Sequence, residues 1–132
     1  GDVYKRQVVL SGKVSSLSSE WKTCCIDAGG WTFETPMASL AMGSQVRLRV
    51  LARDVSIAVE KPDSISIRNR LQAEVEEIAA HLSEPAYQLV KLKCPNGEGR
   101  LVSRILRQSV TELGLHPGSQ VWALVKASAV IM

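Results

Sequence analysis

The feature that most constrains this chain is a short segment that occurs twice. Gly43-Ser44-Gln45-Val46 recurs as Gly118-Ser119-Gln120-Val121, at an offset of 75 residues. Nearer the starts of the two copies, residues 12–17 lie 61 positions before residues 73–78 with a similar pattern. The repeat predicts two related β-units of about 60 to 70 residues each. The offsets differ because the second copy contains an insertion around residues 109–115.

Each unit has the pattern of short strands separated by glycine-rich turns. Residues 46–50 alternate apolar and basic side chains, which is typical of a half-buried strand, and we expect this strand to continue to Val59 before Pro62 ends it. Ala28-Gly29-Gly30 and the stretch from Pro95 to Gly99 predict two hairpin turns. We expect strands at residues 7–17, 21–27, 31–35, 46–59, 71–82, 86–93, 100–106 and 121–130.

One short helix is expected in the second unit. Ser109 and Glu112 have the spacing of a capping box, in which the serine is the N-cap, and Gly114 ends the helix after about one turn. The sequence therefore predicts an all-β fold made of two tandem, small OB-like β-barrel units, residues 1–62 and 63–132, the second with a short helix. Closure into barrels would remove the exposed edges of open sheets.

Composition excludes several classes of function. The chain is 45% hydrophobic and 22% charged, in the range of folded proteins, and its formal net charge is +3. This mild basicity suits an anionic ligand, whereas three Trp, two Tyr and one Phe are few for the stacking platforms of a nucleic-acid-binding barrel. No run of about 18 apolar residues is present, so we expect no direct membrane insertion.

The sequence also lacks the usual marks of a catalyst or a metal site. Its three cysteines are Cys24, Cys25 and Cys94. Their odd number and spacing favour free thiols in a reducing compartment, and neither histidine has metal-ligand spacing to them. There is no G-x-x-x-x-G-K-[ST] loop, so ATP hydrolysis is not assigned to this chain. Because the sequence begins with Gly1 rather than Met, we expect it to be part of a longer protein.

A polar, cationic stretch from Asp63 to Leu71 separates the two units. Taken alone, its Arg68 is explained as a solvated loop charge. In the same way, Ser109 is explained as a helix cap, and Lys126 as a strand residue with its ammonium group in water. A small binding site at this stretch is the alternative interpretation.

Three segments together resemble the carboxy-terminal region of the molybdate ABC transporter ATP-binding subunit. They are residues 47–58, 64–69 and 114–126. That region is a molybdate-binding Mop domain of the transport-associated OB (TOBE) class, which also occurs in a molybdate-responsive transcription regulator and in small molybdate-storage proteins. The resemblance extends over roughly residues 8–132 and is clearest from residue 43 onward.

The resemblance implies a ligand and a set of residues that hold it. In the family, a tetrahedral oxyanion such as molybdate or tungstate lies where two such domains meet. The family motif Ser-x-Arg-Asn corresponds to Ser66, Arg68 and Asn69. Donors of these kinds suit a dianion, because hydrogen bonds from cationic groups are about twice as strong as neutral ones.

The remaining predicted ligands come from the second unit. The serine of the family's short helix corresponds to Ser109, where free helix N–H groups add to the site. The lysine near the end of the last strand corresponds to Lys126, which Ala127 follows. One departure is Leu106, where some members of the family have a threonine.

The resemblance further implies partners and a location. These are a homodimer through the C-terminal domains, a full-length parent with transporter membrane subunits, and a cytoplasmic position, peripheral at the inner face of the plasma membrane. The bound oxyanion would then have a regulatory role. Two alternatives remain open: a ligand-free structural or dimerisation TOBE module of an ABC importer, and the Mop region of a transcription regulator.

Overall fold

The computed structural model describes residues 6–132, and most of them lie in nine antiparallel strands. The strands are β1 (Gln7–Ser18), β2 (Thr23–Ala28), β3 (Trp31–Pro36), β4 (Gln45–Leu51), β5 (Ser56–Ala58), β6 (Asn69–Ala80), β7 (Tyr87–Lys93), β8 (Arg100–Leu106) and β9 (Gln120–Val125). One helix, α1 (Arg107–Glu112), and two 3₁₀ turns, η1 (Ala52–Asp54) and η2 (Ala127–Ala129), complete the described elements. The predicted all-β fold with a short helix in its second half is confirmed.

The strands form two sheets that share a hydrophobic core. The first sheet has the order β3-β2-β1-β4 and the second the order β5-β9-β6-β7-β8. Phe33 and Leu48 of the first sheet and Leu92 and Leu101 of the second belong to one cluster of buried side chains. The division of the chain after residue 62 stays a prediction.

The sequence repeat corresponds to a repeated backbone geometry. β1 has a bulge between Val14 and Ser16, and β6 has one between Val75 and Glu77, at the offset of 61 residues. At each bulge the repeated glycine donates its N–H to a strand carbonyl, Gly43 to Val14 at 2.9 Å and Gly118 to Val75 at 2.8 Å. The bulge and the glycine turn therefore recur together in both halves of the chain.

Both predicted hairpins are confirmed, and their turns touch. The turn between β2 and β3 contains Gly29 and Gly30, with φ of +65° and +96°. The turn between β7 and β8 lies against it, and the Gly99 N–H donates to the Gly29 carbonyl at 2.8 Å. A Cβ atom added to Gly99 would lie 2.7 Å from that carbonyl oxygen, so the backbones approach as closely as glycine permits.

The predicted strand over residues 46–59 is wrong in its middle. β4 ends at Leu51, η1 follows, and β5 then pairs with β9 in the second sheet. The alternating pattern changes parity at this break, because the buried residues lie at even positions up to Ala52 and the next one is Val55, three residues on. A strict period of two therefore ends at Ala52, and the pattern fits two separate strands better than one continuous strand.

The chain crosses between the sheets a second time at its other end. Beyond η2, Ile131 forms a bridge with Arg49 on the outer side of β4, with N–O distances of 2.7 and 3.0 Å. In the described pairings neither sheet closes on itself. The free edge of β4 is covered at this point by the end of the chain, which serves the purpose that barrel closure was expected to serve.

The predicted capping box is also wrong. The N-cap of α1 is Leu106, no side chain caps the helix, and Ser109 is its third residue. The helix begins earlier because the Arg107 N–H donates to the Ala86 carbonyl at 2.8 Å, which satisfies one of the free donors at the helix start.

Candidate functional site

The polar stretch before β6 is folded back against the second sheet. The Arg70 side chain donates from Nη1 to the Pro62 carbonyl at 3.0 Å. The Lys61 Nζ lies 5.2 Å from the centre of the Trp122 ring, on β9. Ser64 has a φ of +54°, an uncommon conformation for a serine, at a bend of the chain. These contacts fix the approach of the chain to Arg68.

Asn69 connects this stretch to the edge of the first sheet. Its side-chain amide accepts from the Glu34 N–H at 2.7 Å and donates to the Glu34 carbonyl at 2.9 Å. Asn69 is 2% exposed. β3 is an outer strand of its sheet, so these two half-buried backbone groups have no neighbouring strand to pair with on that side. The predicted ligand Asn69 therefore holds two elements together through its side chain.

Arg68 forms an ion pair with a residue that sequence reasoning missed. Its Nε lies 2.8 Å from Glu34 Oε1, and the exposed fractions of the two side chains are 63% and 20%. An anion that binds Arg68 would share the guanidinium with this carboxylate, because arginine has five N–H donors and Glu34 takes the one on Nε. Glu34 is 34 residues from Arg68, and only its half-buried position in β3 was visible from the sequence.

Lys126 and Ala127 lie next to Asn69 across the sheet. Asn69 pairs with Val125 in the β6–β9 register, and Lys126 follows Val125 directly. η2, which begins at Ala127, packs against β3. Lys126 is exposed and forms no ion pair within residues 6–132. The structure thus brings Arg68, Asn69, Lys126 and Ala127 to one end of the second sheet.

Ser66 is near this group in the chain, and Ser109 is not near it in the fold. Ser66 is exposed, three residues before Asn69. Ser109 is half-buried on α1, which follows β8 where β8 pairs with the start of β7. That end of the sheet is where β6 finishes, whereas Asn69 is where β6 begins, and β6 has 12 residues, roughly 35 Å of extended chain. One copy of the chain does not bring Ser109 to Arg68.

The arrangement is suited to binding a small anion. Arg68 and Lys126 supply positive charge, and Ser66 supplies a hydroxyl group. Within residues 6–132 no group of three or more His, Cys, Asp or Glu side chains is placed to hold a metal ion. The three predicted free thiols are confirmed, with Cys24 and Cys94 buried and Cys25 half-buried. No helix of the described part of the chain is both long and apolar enough to span a membrane.

Comparison with known proteins identifies a family model and relatives that match this chain. The family model described as TOBE domain matches residues 65–132. The molybdenum import ATP-binding protein ModC of Brucella abortus is 43% identical over 123 residues, which cover 93% of this chain and 33% of that protein. ModC of Pseudomonas fluorescens is 37% identical over 127 residues, 94% of this chain and 34% of that protein. The chain therefore spans about a third of the length of these relatives.

A solved structure with a similar fold has a bound ligand. The cytoplasmic molybdate-binding protein ModG, crystallised with molybdate bound, superposes with a TM-score of 0.78 at 28% identity. The alignment covers 94% of this chain and 93% of ModG. The similarity thus includes both sheets and not only the segment that the family model matches.

Proposed function

The chain belongs to the TOBE domain family, and we propose on that basis that it is an oxyanion-binding module, with molybdate or tungstate as ligand, from the ATP-binding subunit of a molybdate importer. The observation that carries the proposal is the grouping of Arg68 and Lys126 at the end of the second sheet, beside the β6–β9 pairing. The relatives are molybdenum import proteins, and the similar ModG fold is that of a molybdate-binding protein. The chain itself contains the binding module and no ATPase part.

The predicted ligands act as donors to the oxygens of the anion. Ser66 offers a hydroxyl, Arg68 the N–H groups that Glu34 leaves free, and Lys126 an ammonium group. The backbone N–H of Ala127 lies at the start of η2, beside Lys126. No bond is made or broken in such a site, so it can only report or store the anion. In the parent protein the site reports the supply of the anion, which is a regulatory role.

A second copy of the chain is needed to complete the site. Ser109 lies at the other end of the second sheet from Arg68, so it reaches an anion at Arg68 only if it comes from a partner subunit. We therefore place the ligand between two copies that are related by a two-fold axis, each giving Arg68 to one site and Ser109 to the other. In the parent protein the two copies would belong to paired ATP-binding subunits, peripheral to the membrane through the transporter.

Calorimetric titration of the purified chain tests the ligand. Molybdate and tungstate are each expected to bind saturably, and sulfate much more weakly. Arg68→Ala is expected to lower molybdate affinity at least about tenfold, since a hydrogen bond to a charged group contributes about 1.5–3 kcal/mol. Arg47→Ala, at an exposed arginine of β4 outside the site, is the matched control and should leave affinity unchanged. Absence of saturable molybdate binding would refute the proposal.

Mixing two inactive variants tests the shared site. Arg68→Ala and Ser109→Ala are each expected to bind poorly alone. If the two residues come from different subunits, an equal mixture forms hybrid dimers with one intact site, which restores about a quarter of the wild-type sites. If the mixture binds no better than its components, both residues serve the same copy and the two-copy arrangement is wrong.

A ligand-free structural module is the second candidate function. The ion pair between Arg68 and Glu34 and the use of Asn69 to hold β3 favour it, because both predicted ligands already have partners. Glu34→Gln separates the two functions. In an oxyanion site it removes a competing carboxylate and raises molybdate affinity, whereas in a ligand-free module molybdate has no effect on either protein.

A further inference from the structure

A cleft of about 510 Å³ lies away from the candidate oxyanion site. It is bounded by the end of β4 and η1, by the loop between β6 and β7, and by one arginine of β8. None of the predicted oxyanion ligands lines it. Its volume is within the range of small-molecule sites, about 300–1,000 Å³, and far exceeds that of a tetrahedral oxyanion.

Arg104 is the cleft residue whose hydrogen bonding is incomplete. Its Nε is shut off from solvent and has no hydrogen-bond partner among the described residues. Its Nη1 lies 3.8 Å from Glu84 Oε2, which is beyond hydrogen-bonding distance, and its guanidinium stacks 4.9 Å from the centre of the Tyr87 ring. A buried N–H without an acceptor costs about 1–3 kcal/mol, and more on a charged group. The terminal Nη groups form no hydrogen bond with the described residues either, and the side chain is 33% exposed, so an acceptor in the cleft can reach them.

The other polar groups of the cleft also favour an anion. Arg53, on η1, is exposed and has no ion pair within the described chain, and Arg6 adds a third guanidinium. Glu84 is the one carboxylate in the lining, and its side chain is 52% exposed. The cleft therefore has a net positive charge.

His81 also lines the cleft and is held by its neighbours in the chain. Its Nδ1 accepts the backbone N–H groups of Ser83 at 3.3 Å and of Glu84 at 3.1 Å. Because Nδ1 accepts these hydrogen bonds, Nε2 is the ring nitrogen that carries a proton. The same two hydrogen bonds join His81 to the loop that lines the cleft.

The rest of the lining is apolar. Ala52 and Leu89 pack together in a small buried cluster beneath the cleft. Leu51 is half-buried, and Leu82, which is 79% exposed, extends from the loop. A bare oxyanion would leave these side chains uncovered, whereas a ligand with an apolar body would remove them from water, at about 25 cal/mol per Å².

We propose that this cleft binds a small organic carboxylate with an apolar body, the carboxylate at Arg104 and the apolar part against Leu82 and Leu89. The site is independent of the oxyanion site, because the two share no residue. The chemistry of the lining defines the ligand class: one anionic group that can accept from the terminal Nη groups of Arg104, attached to a body of a few carbon atoms.

NMR titration of the whole chain tests the proposal with benzoate as the probe, benzyl alcohol as its neutral analogue, and molybdate. Benzoate is expected to shift the amide signals of residues 51–53, 81–84 and 104 saturably, and benzyl alcohol to bind at least about tenfold more weakly. Equal binding of benzyl alcohol, or no saturable shift, would overturn the proposal. So would molybdate binding at these amides as tightly as benzoate, which would make the cleft a simple oxyanion site.

Three variants separate binding from folding. Arg104→Gln is expected to weaken benzoate at least about tenfold, with Arg47→Gln as the unaffected control. Because Arg104 also stacks on Tyr87, Arg53→Gln provides a change at an exposed residue that leaves the fold intact, with an expected loss of about threefold. Full benzoate affinity in both variants would show that the carboxylate does not bind here. Molybdate binding at Arg68 is unaffected by either result, so failure of this proposal and failure of the oxyanion site are distinguishable.

Discussion

Two corners of the molecule have the same backbone and different chemistry. The first corner, residues 45–55, consists of β4, η1 and the buried Val55, and the second corner, residues 120–130, consists of β9, η2 and the buried Val130. In each, the valine N–H donates to the first residue of the 3₁₀ turn, at 3.2 Å to Ala52 and 3.3 Å to Ala127. At 75 residues apart, Leu51 in the first corner is replaced by Lys126 in the second.

The difference shows which positions determine the fold and which are available for function. Alanine recurs at the first position of the turn, as the buried Ala52 and the half-buried Ala127. The position before the turn differs between the copies in identity and in exposure, because Leu51 is half-buried and Lys126 is exposed. In the first corner it supplies leucine to the wall of a cleft, and in the second it supplies an ammonium group beside Arg68. Each corner also rests on an outer strand of the opposite sheet, η1 on β8 and η2 on β3.

The largest expected effect is at the contact that holds the second corner to β3. Asn69→Ala leaves both the Glu34 N–H and its carbonyl without partners, and we expect a loss of about 3 kcal/mol in the free energy of unfolding. Urea denaturation measures it. Gln120→Ala, which removes a hydrogen bond between exposed side chains, should change stability by less than about 0.5 kcal/mol. Equal effects of the two changes would mean that the Glu34 N–H and carbonyl find other hydrogen-bond partners when Asn69 is replaced.

The corresponding contact at the first corner is smaller. The Ser103 hydroxyl, which is fully buried, donates to the Val55 carbonyl, so one backbone group depends on it instead of two. Ser103→Ala is expected to cost about 1.5 kcal/mol in the same urea experiment. A cost greater than that of Asn69→Ala would reverse the order of the two corners.

Exchange of the residue before each turn tests whether Lys126 gives the second corner its affinity for molybdate. Lys126→Leu gives the second corner the residue of the first, and molybdate affinity should fall about tenfold by calorimetry, because one charge-assisted contact is lost. The reciprocal change, Leu51→Lys, should leave molybdate affinity as it was, since the first corner has no Arg68 beside it. Loss of molybdate binding in Leu51→Lys but not in Lys126→Leu would show that the oxyanion binds at the first corner and not at the second.

The smallest expected effect comes from substitution of the glycine that precedes each corner. The two substitutions should have the same effect on stability. Gly43 and Gly118 precede β4 and β9 with φ of +79° and +96°, and an added Cβ would meet nothing at either position. Gly43→Ala and Gly118→Ala should each cost about 1 kcal/mol, from backbone conformation alone. Thermal melts that differ by more than the equivalent of about 1 kcal/mol would show that the two turns are not equivalent.

Much of the fold was predictable because it depends on local pattern. The repeat, both hairpins and the strand that begins at Asn69 follow from glycine positions and alternation. The break at Ala52 was missed, although the apolar residues change there from even positions, up to Ala52, to odd ones, from Val55 onward. The start of α1 was also missed, because a backbone hydrogen bond from Arg107 to Ala86 replaces the serine cap that the sequence suggested.

The candidate site was predictable only in part. Ser66, Arg68 and Lys126 were identified by resemblance, and Arg68 and Lys126 lie at the same end of the second sheet. The ion pair with Glu34 joins residues 34 positions apart across two sheets, and no periodicity contains that information. The cleft at Arg104 was not predicted either, because its lining comes from η1, a loop and β8, which only the fold brings together.

The reciprocal crossing of the chain between the sheets has a consequence for folding. β5 completes the second sheet, and Ile131 completes the edge of the first, so each half lacks a part until the other is in place. Pairings of such long sequence separation make folding slow, because the loop must close before the contact contributes. They also make unfolding cooperative. We expect one transition for the whole chain, with neither half persisting as a folded intermediate while the other unfolds.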